Sequence, residues 1–397
     1  MAVYVPHDPE LRSDPYPTYQ WLRDEHPVYH NPQADFWALS RHADVAAAWR
    51  DSGTLSSDHG VALEQWGPQA SRQMSFVAMD PPEHTDMRRL ISRAFTPARV
   101  RGLEPRIREL TRSYLDAALE KGSFDFVTDF AQMIPVDVIS ELIGVPPDHR
   151  PMLLRLSQQI MDRGDGAGRM TAAVRDANIE LAHYYRGLIA ERRHQPREEE
   201  DLTSALLAAE VDGQRLGDGD VAATLMLLGV AGNETTIKLL GTAWRCAFQH
   251  GDQRARIWAG EVAVDAWGEE TLRYEGPSQY TVRRVRHPIE LHGQVIPADA
   301  RLVLLIAAAN RDERVFPNAD RFDVKRATDE TLAFGRGPHF CLGAALARLE
   351  ARIVLEELIA AVDADYEVDV SAARLSTSPS VRGYESLPTV VKPRLRR

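Results

Sequence analysis

The stretch FGRGPHFCLG, Phe334 to Gly343, constrains the fold more than any other part of the 397-residue chain. It sets one cysteine in a turn containing Gly335, Gly337, Pro338 and Gly343, just before an apolar helical pattern of Leu342, Leu346, Leu349 and Ile353. Glycine lets backbone come close to a flat or bulky ligand, and proline stiffens the turn. A helix expected to begin near Leu342 offers free amides and a dipole that favour a thiolate at Cys341. A thiolate is a nucleophile or a metal ligand. His339 is only two residues away, a poor place from which to act as base on the same sulfur. No second Cys or His pair stands at zinc-site spacing. A single thiolate without protein co-ligands suits a metal cofactor that brings its own four equatorial ligands, as haem does.

Around this loop most of the chain reads as helix. Val100, Leu103, Ile107, Leu110, Tyr114, Leu115 and Leu119 recur three and four apart, as do Ile179, Leu181, Tyr185 and Leu188. Strand-like runs are short: FWALS, TVRRV, IELHGQVI and RLVLLI. RGDGAGRM (163–170) reads as a glycine-rich break between helices, and ERRHQPREEEDL (191–202) as a solvated charged connection. No repeat or composition shift divides the chain, so one mainly α domain over 1–397 with small β-sheets is expected.

Composition narrows the function classes. A net charge of −11 argues against nonspecific nucleic-acid binding. Two cysteines, Cys246 and Cys341, make no disulfide framework and fit a reducing cytoplasm. The start of the chain shows no basic-then-apolar leader, and no run approaches the roughly 18 apolar residues of a membrane span. Cys246, in AWRCAFQH, reads as a small buried hydrophobe.

Three further stretches ask for chemistry. In EETLR, Glu270 and Arg273 lie three apart on one helix face, where they can pair. Gly268 falls in the same helix and costs about 1 kcal/mol against alanine. AGNETT, Ala231 to Thr236, ends a nearly all-apolar helix, where Gly232, Glu234 and Thr235 are costly guests. MDPPEHTDMRRL places His84 and Arg88 four apart on one face. Each has a plain structural reading: a surface ion pair, a packing glycine with back-bonded threonines, an exposed polar face.

Together these stretches resemble the cytochrome P-450 family, of the soluble bacterial type. FGRGPHFCLG matches its haem loop, F-G-x-G-x-H-x-C-x-G, at every fixed position, and the other motifs follow in the family's order along almost the whole chain. The resemblance implies a haem b held between a long distal helix and a proximal cysteine loop, with Cys341 as axial thiolate and Phe334 and Gly335 shaping that loop. It implies that His84, Arg88, Arg283 and His339 bind the haem propionates; guanidinium and imidazole donors suit carboxylates. Arg283 is taken over its neighbours Arg284 and Arg286 because it lies seven before Glu290 of ELHG. Glu270, Arg273 and Arg321 of FPNADRFD match the family's buried structural triad; Ala319 stands where proline is frequent. Gly232 would leave room for O2, Thr235 would hold it with a water, and Glu234 would pass protons inward, a relay of a type worth typically 10² to 10⁴ in rate.

The implied reaction is insertion of one oxygen atom of O2 into a hydrophobic small molecule, by hydroxylation or epoxidation, in bacterial secondary or xenobiotic metabolism. The chain has no flavin or iron–sulfur pattern, so NAD(P)H-derived electrons would come through a separate ferredoxin and its reductase, docking on a monomeric enzyme near Arg89, Arg336 and Arg348. The expected substrate pocket comprises Trp66, Met74, Phe76, Val77, Ile160, Met161, Gln279, Val282, Pro379, Ser380 and Val381, with RGDGAGRM as a lid. The alternatives are a haem-thiolate peroxygenase or isomerase, a non-catalytic haem sensor, and a cysteine-nucleophile hydrolase.

Overall fold

The computed structural model describes residues 3–162, 171–195, 201–211 and 214–394. The glycine-rich break expected to act as a lid lies outside them, as do residues 196–200 of the charged run after it.

Helices carry the architecture. Those that build the site are α1 (Glu83–Ser92), α2 (Met133–Ile143), α3 (Ala172–His194), α4 (Asp218–Gln249), α5 (Val264–Glu275) and α6 (Ala344–Ala361). The longest, α4, has 32 residues and runs about 48 Å at 1.5 Å per residue. Asp218 and Asp220 in its first turn complement the dipole. Its surface packs against α2, α3, α5 and α6, so it is apolar nearly all round. Trp244 marks its buried end, stacked 3.7 Å from Tyr366 and 5.0 Å from Phe126.

The sheets are small, as expected. The largest has five strands and contains β1 (Val28–Asn31), β2 (Phe36–Leu39), β3 (Leu55–Ser56), β4 (Thr281–Val285) and β5 (Arg301–Leu304), in the order β1-β2-β5-β4-β3. IELHGQVI forms a hairpin that turns at His292–Gly293. Near the C-terminus, β6 (Tyr384–Ser386) lies against α4.

Two sequence expectations shift. The amphipathic run from Val100 is two helices, Pro97–Gly102 and Glu104–Leu119, each with proline in its first turn. In α3 the buried stripe is Val174, Ala177, Leu181, Tyr185, Leu188 and Ile189, whereas Ile179 is 57% exposed. Ile179 sits two residues from both Ala177 and Leu181, which is the opposite side of a helix.

Candidate active site

The cysteine loop is held by its own backbone. Gly335 and Gly337 adopt positive φ (69° and 65°). A Cβ on Gly335 would stand 2.9 Å from the Trp49 ring, so this position requires glycine on two counts. The amide of Cys341 donates to the Phe334 carbonyl (2.9 Å), and Gly337–His339 form a 3-10 turn on Pro338. Helix α6 begins at Ala344, two residues later than the apolar pattern suggested. The amides of Gly343 and Ala344 nevertheless point to the thiol. Burial pushes the Cys341 thiol up, while those amides and the Arg88 and Arg348 guanidiniums pull it back.

Cys341 stands where two cavities meet. One, of about 410 Å³, reaches Met74, Val77, Ile160, Met161, Ser380 and Val381. The other, of about 170 Å³, reaches Phe76, Arg88 and Gly232. Thr235, Phe334, His339 and Cys341 line both, so the thiol and the Thr235 segment of α4 face one continuous space. Gly232 packs tightly: a Cβ there would meet Ile139 of α2 at 3.2 Å.

At one edge of this space basic groups gather, and Asp80 is the acid that acts on both Arg283 and His84. Arg283 is buried, lies 4.8 Å over the Trp49 ring, and donates to Thr281 Oγ1 (3.1 Å) and the Val282 carbonyl. Burial lowers its pKa to about 10. The neighbouring arginines are occupied: Arg284 pairs with Asp58 and Asp299, and Arg286 with Asp80. His84 is buried with neither ring nitrogen partnered, 4.1 Å from the His339 ring. Burial and nearby Arg88 lower His84 to about 4, so it is neutral near pH 7. Arg88 donates to the Phe340 carbonyl (2.6 Å). A buried guanidinium and two orphaned imidazole nitrogens are what an anionic, ring-shaped ligand would satisfy. The residues present therefore fit a haem, which this basic edge and Cys341 would hold.

On α4 the Thr235 hydroxyl donates to the Ala231 carbonyl (2.9 Å), and Asn233 Nδ2 to that of Gly229 (2.6 Å). Both draw on carbonyls that otherwise serve the helix. Glu234 is buried; its Oε2 lies 3.6 Å from Lys238 Nζ, and its Oε1 has no partner. Burial raises its pKa.

Behind the cysteine loop, Glu270 and Arg273 are wholly buried and paired at 2.7 and 2.8 Å. Arg273 also donates to the carbonyls of Asn310, Ala319 and Arg321. The third member differs from expectation. The Arg321 side chain is 66% exposed and reaches only Asp252, at 3.7 Å. Arg326 approaches Glu270 Oε1 at 3.3 Å and is 10% exposed. The turn that points the Arg321 carbonyl at Arg273 sends its side chain outward, and Arg326 folds back over the same carboxylate.

Other expected contacts also fall elsewhere. Val282 is fully buried on the far face of β4, among Tyr4, Tyr280 and Val303. Side chains alternate along a strand, so Val282 and Arg283 could never share a face. Gln279 turns to Tyr19 and the Gly276 carbonyl, Trp66 packs near His59, and Pro379 lines a separate surface cleft. Sequence reasoning missed Trp49, Met226, Leu227, Val230, Tyr280 and Ile306, all of which line the larger cavity. For Leu227 and Val230 the signal was available, since helical spacing back from Glu234 and Thr235 passes through them. The three arginines chosen for docking are each paired: Arg89 with Asp86, Arg336 with Glu330, and Arg348 bidentately with Glu269. They offer no uncompensated charge. His339 faces His84 and Ser57, which leaves Cys341 without a base and disfavours a hydrolase.

Residues 264–371 match the family model "Cytochrome P450". The chain numbered cytochrome P450 123 in Mycobacterium tuberculosis is 46% identical over 395 residues, covering 99% of this chain and 98% of that one. The cytochrome P450 monooxygenase PikC of Streptomyces venezuelae is 36% identical, over 96% of this chain and 91% of its own. Among solved structures, cytochrome P450 CYP109Q5 from Chondromyces apiculatus superposes with a TM-score of 0.87 at 36% identity, covering 98% of both chains. No helix among the described residues is long and apolar enough to cross a membrane.

Proposed function

The chain belongs to the cytochrome P450 family of monooxygenase oxidoreductases, and from that premise we propose that it inserts one oxygen atom of O2 into a hydrophobic small molecule. The carrying observation is the placement of Cys341 against one space shared with Thr235 and bordered by Arg88 and His339, with the unpartnered His84 ring 4.1 Å from His339. Cys341 would hold a haem there through its thiolate, and the bound group would supply the electron push that favours O–O cleavage.

The chain's own residues do the rest. Arg283, His84, Arg88 and His339 would hold the cofactor through its carboxylates. The amides of Gly343 and Ala344 keep negative charge on the Cys341 sulfur favourable. Thr235 donates a hydrogen bond to the Ala231 carbonyl, so its oxygen is free to accept from a water in the cavity. Glu234, buried and raised in pKa, can hold a proton one residue from Thr235. Met74, Val77, Ile160, Met161, Val230 and Ile306 exclude water and favour an apolar substrate.

Electrons would come from a ferredoxin and its reductase. The test is a reduced, CO-bound absorption spectrum. A Soret band at the thiolate position is expected in the wild type and its loss in Cys341→Ser. Retention of that band in the serine variant would refute the reading. Substrate classes are then screened by spin-state shifts, followed by turnover with surrogate ferredoxin, reductase and NAD(P)H.

A further inference from the structure

One buried charge on α4 plays no part in the scheme above. Lys238 is one of four lysines in the chain and is only 4% exposed. It sits one helical turn after Glu234, with its Nζ between the Glu234 carboxylate (3.6 Å) and the Tyr384 carbonyl of β6 (3.2 Å). The approach of β6 is close because residue 383 is glycine. A Cβ there would fall 2.4 Å from Lys238 Cβ, and the backbone has φ of 149°. The strand therefore lies directly on the lysine stem and offers its carbonyl to the ammonium. A buried ammonium needs such partners, because leaving it unpaired costs far more than the pair is worth.

We propose that Lys238 is a positioning residue for proton delivery: it ties one oxygen of Glu234 toward β6 and leaves the other, buried and unpartnered, to carry the proton on the side of Thr235. This rests on the proton-carrying role of Glu234 proposed above. The charged groups facing Glu234 are Lys238 on its own helix and Glu385 on β6. Burial and Glu385 favour the neutral acid, and Lys238 opposes both. Without the ammonium, Glu234 would keep its proton and stop exchanging it. Oε1, buried and without a protein partner, is the oxygen left to carry the exchangeable proton.

The variants are Lys238→Gln, which keeps a donor for the Tyr384 carbonyl but removes the charge, and Lys238→Arg, which keeps the charge. Infrared difference spectra of the purified holoprotein, titrated with pH, read the protonated-carboxyl band that Glu234→Gln abolishes. An opposite charge at this range moves a carboxyl by about 1–3 pH units. The band in Lys238→Gln should therefore titrate about 1–3 units higher than in wild type, with Lys238→Arg close to wild type. Lys238→Met, measured the same way, replaces the glutamine variant if that one does not fold. A wild-type titration in the uncharged variant overturns the proposal, because a merely structural lysine would change thermal stability and leave the band in place. The share of O2 lost as peroxide should rise in Lys238→Gln and Glu234→Gln alike. If Glu234→Gln leaves that share unchanged, the relay reading of Glu234 fails, whatever the band does in the lysine variants.

Discussion

Replacing Arg326 with alanine tests how the Glu270 carboxylate is held. Glu270 is wholly buried and accepts from Arg273 twice, from the Asp323 amide (2.9 Å) and from Arg326 (3.3 Å). Arg326 also donates to the carbonyls of Pro317 (2.6 Å), Asn318 (3.0 Å) and Arg321 (3.1 Å). Those three carbonyls lie toward solvent and can turn to water, so little of their bonding is lost outright. The carboxylate keeps Arg273, so it is weakened rather than stranded. The expected cost of Arg326→Ala is about 2–3 kcal/mol, below the roughly 3–5 kcal/mol of Arg273→Ala, which removes both of its short bonds to a buried guanidinium. Arg321→Ala removes only an exposed contact at 3.7 Å to an equally exposed Asp252, and should cost at most about 0.5 kcal/mol. Urea unfolding of the three variants, followed by tryptophan fluorescence, gives the ranking. A cost for Arg321→Ala equal to or above that of Arg326→Ala would refute the assignment.

Other outcomes follow from single positions. Gly335→Ala should loosen cofactor retention and destabilise the loop by at least about 1–2 kcal/mol, since it meets both a left-handed backbone and the Trp49 ring; size-exclusion with absorbance ratios measures the retention. Gly268→Ala should stabilise α5 by about 0.5–1 kcal/mol, because a Cβ there meets nothing within 4 Å; thermal unfolding reads it. Glu350 is buried on α6 with Oε2 unpartnered, and burial raises its pKa to about 8. Its folded pKa lies above the unfolded value of about 4.3, so it costs nothing at low pH and destabilises progressively as pH rises from there to about 8. Glu350→Gln should therefore gain stability over wild type between pH 5 and pH 8, by up to roughly 4 kcal/mol; a stability difference independent of pH would contradict this.

The chain's local patterns carried most of the fold and much of the site. The Cys341 turn, the apolar run of α4 with Gly232, Glu234 and Thr235, and the Glu270–Arg273 spacing each place their groups through neighbours a few residues away. Such short-range geometry is written in residue type and period. The same holds for the hairpin at His292–Gly293 and for strands β2, β4 and β5.

Tertiary structure decided the directions in which side chains leave those elements and the partners they meet. Strand pairing turned Val282 into the core and its neighbour Arg283 toward Thr281 and Trp49, which line the larger cavity. A turn after Phe316 gave Glu270 the guanidinium of Arg326 rather than that of Arg321. Arg348 found Glu269, 79 residues away, and lost its free charge. Lys238 found β6 from 146 residues away only because Gly383 lets the strand close on it. Partners this distant in sequence are selected by packing of the whole chain, and no local period encodes them.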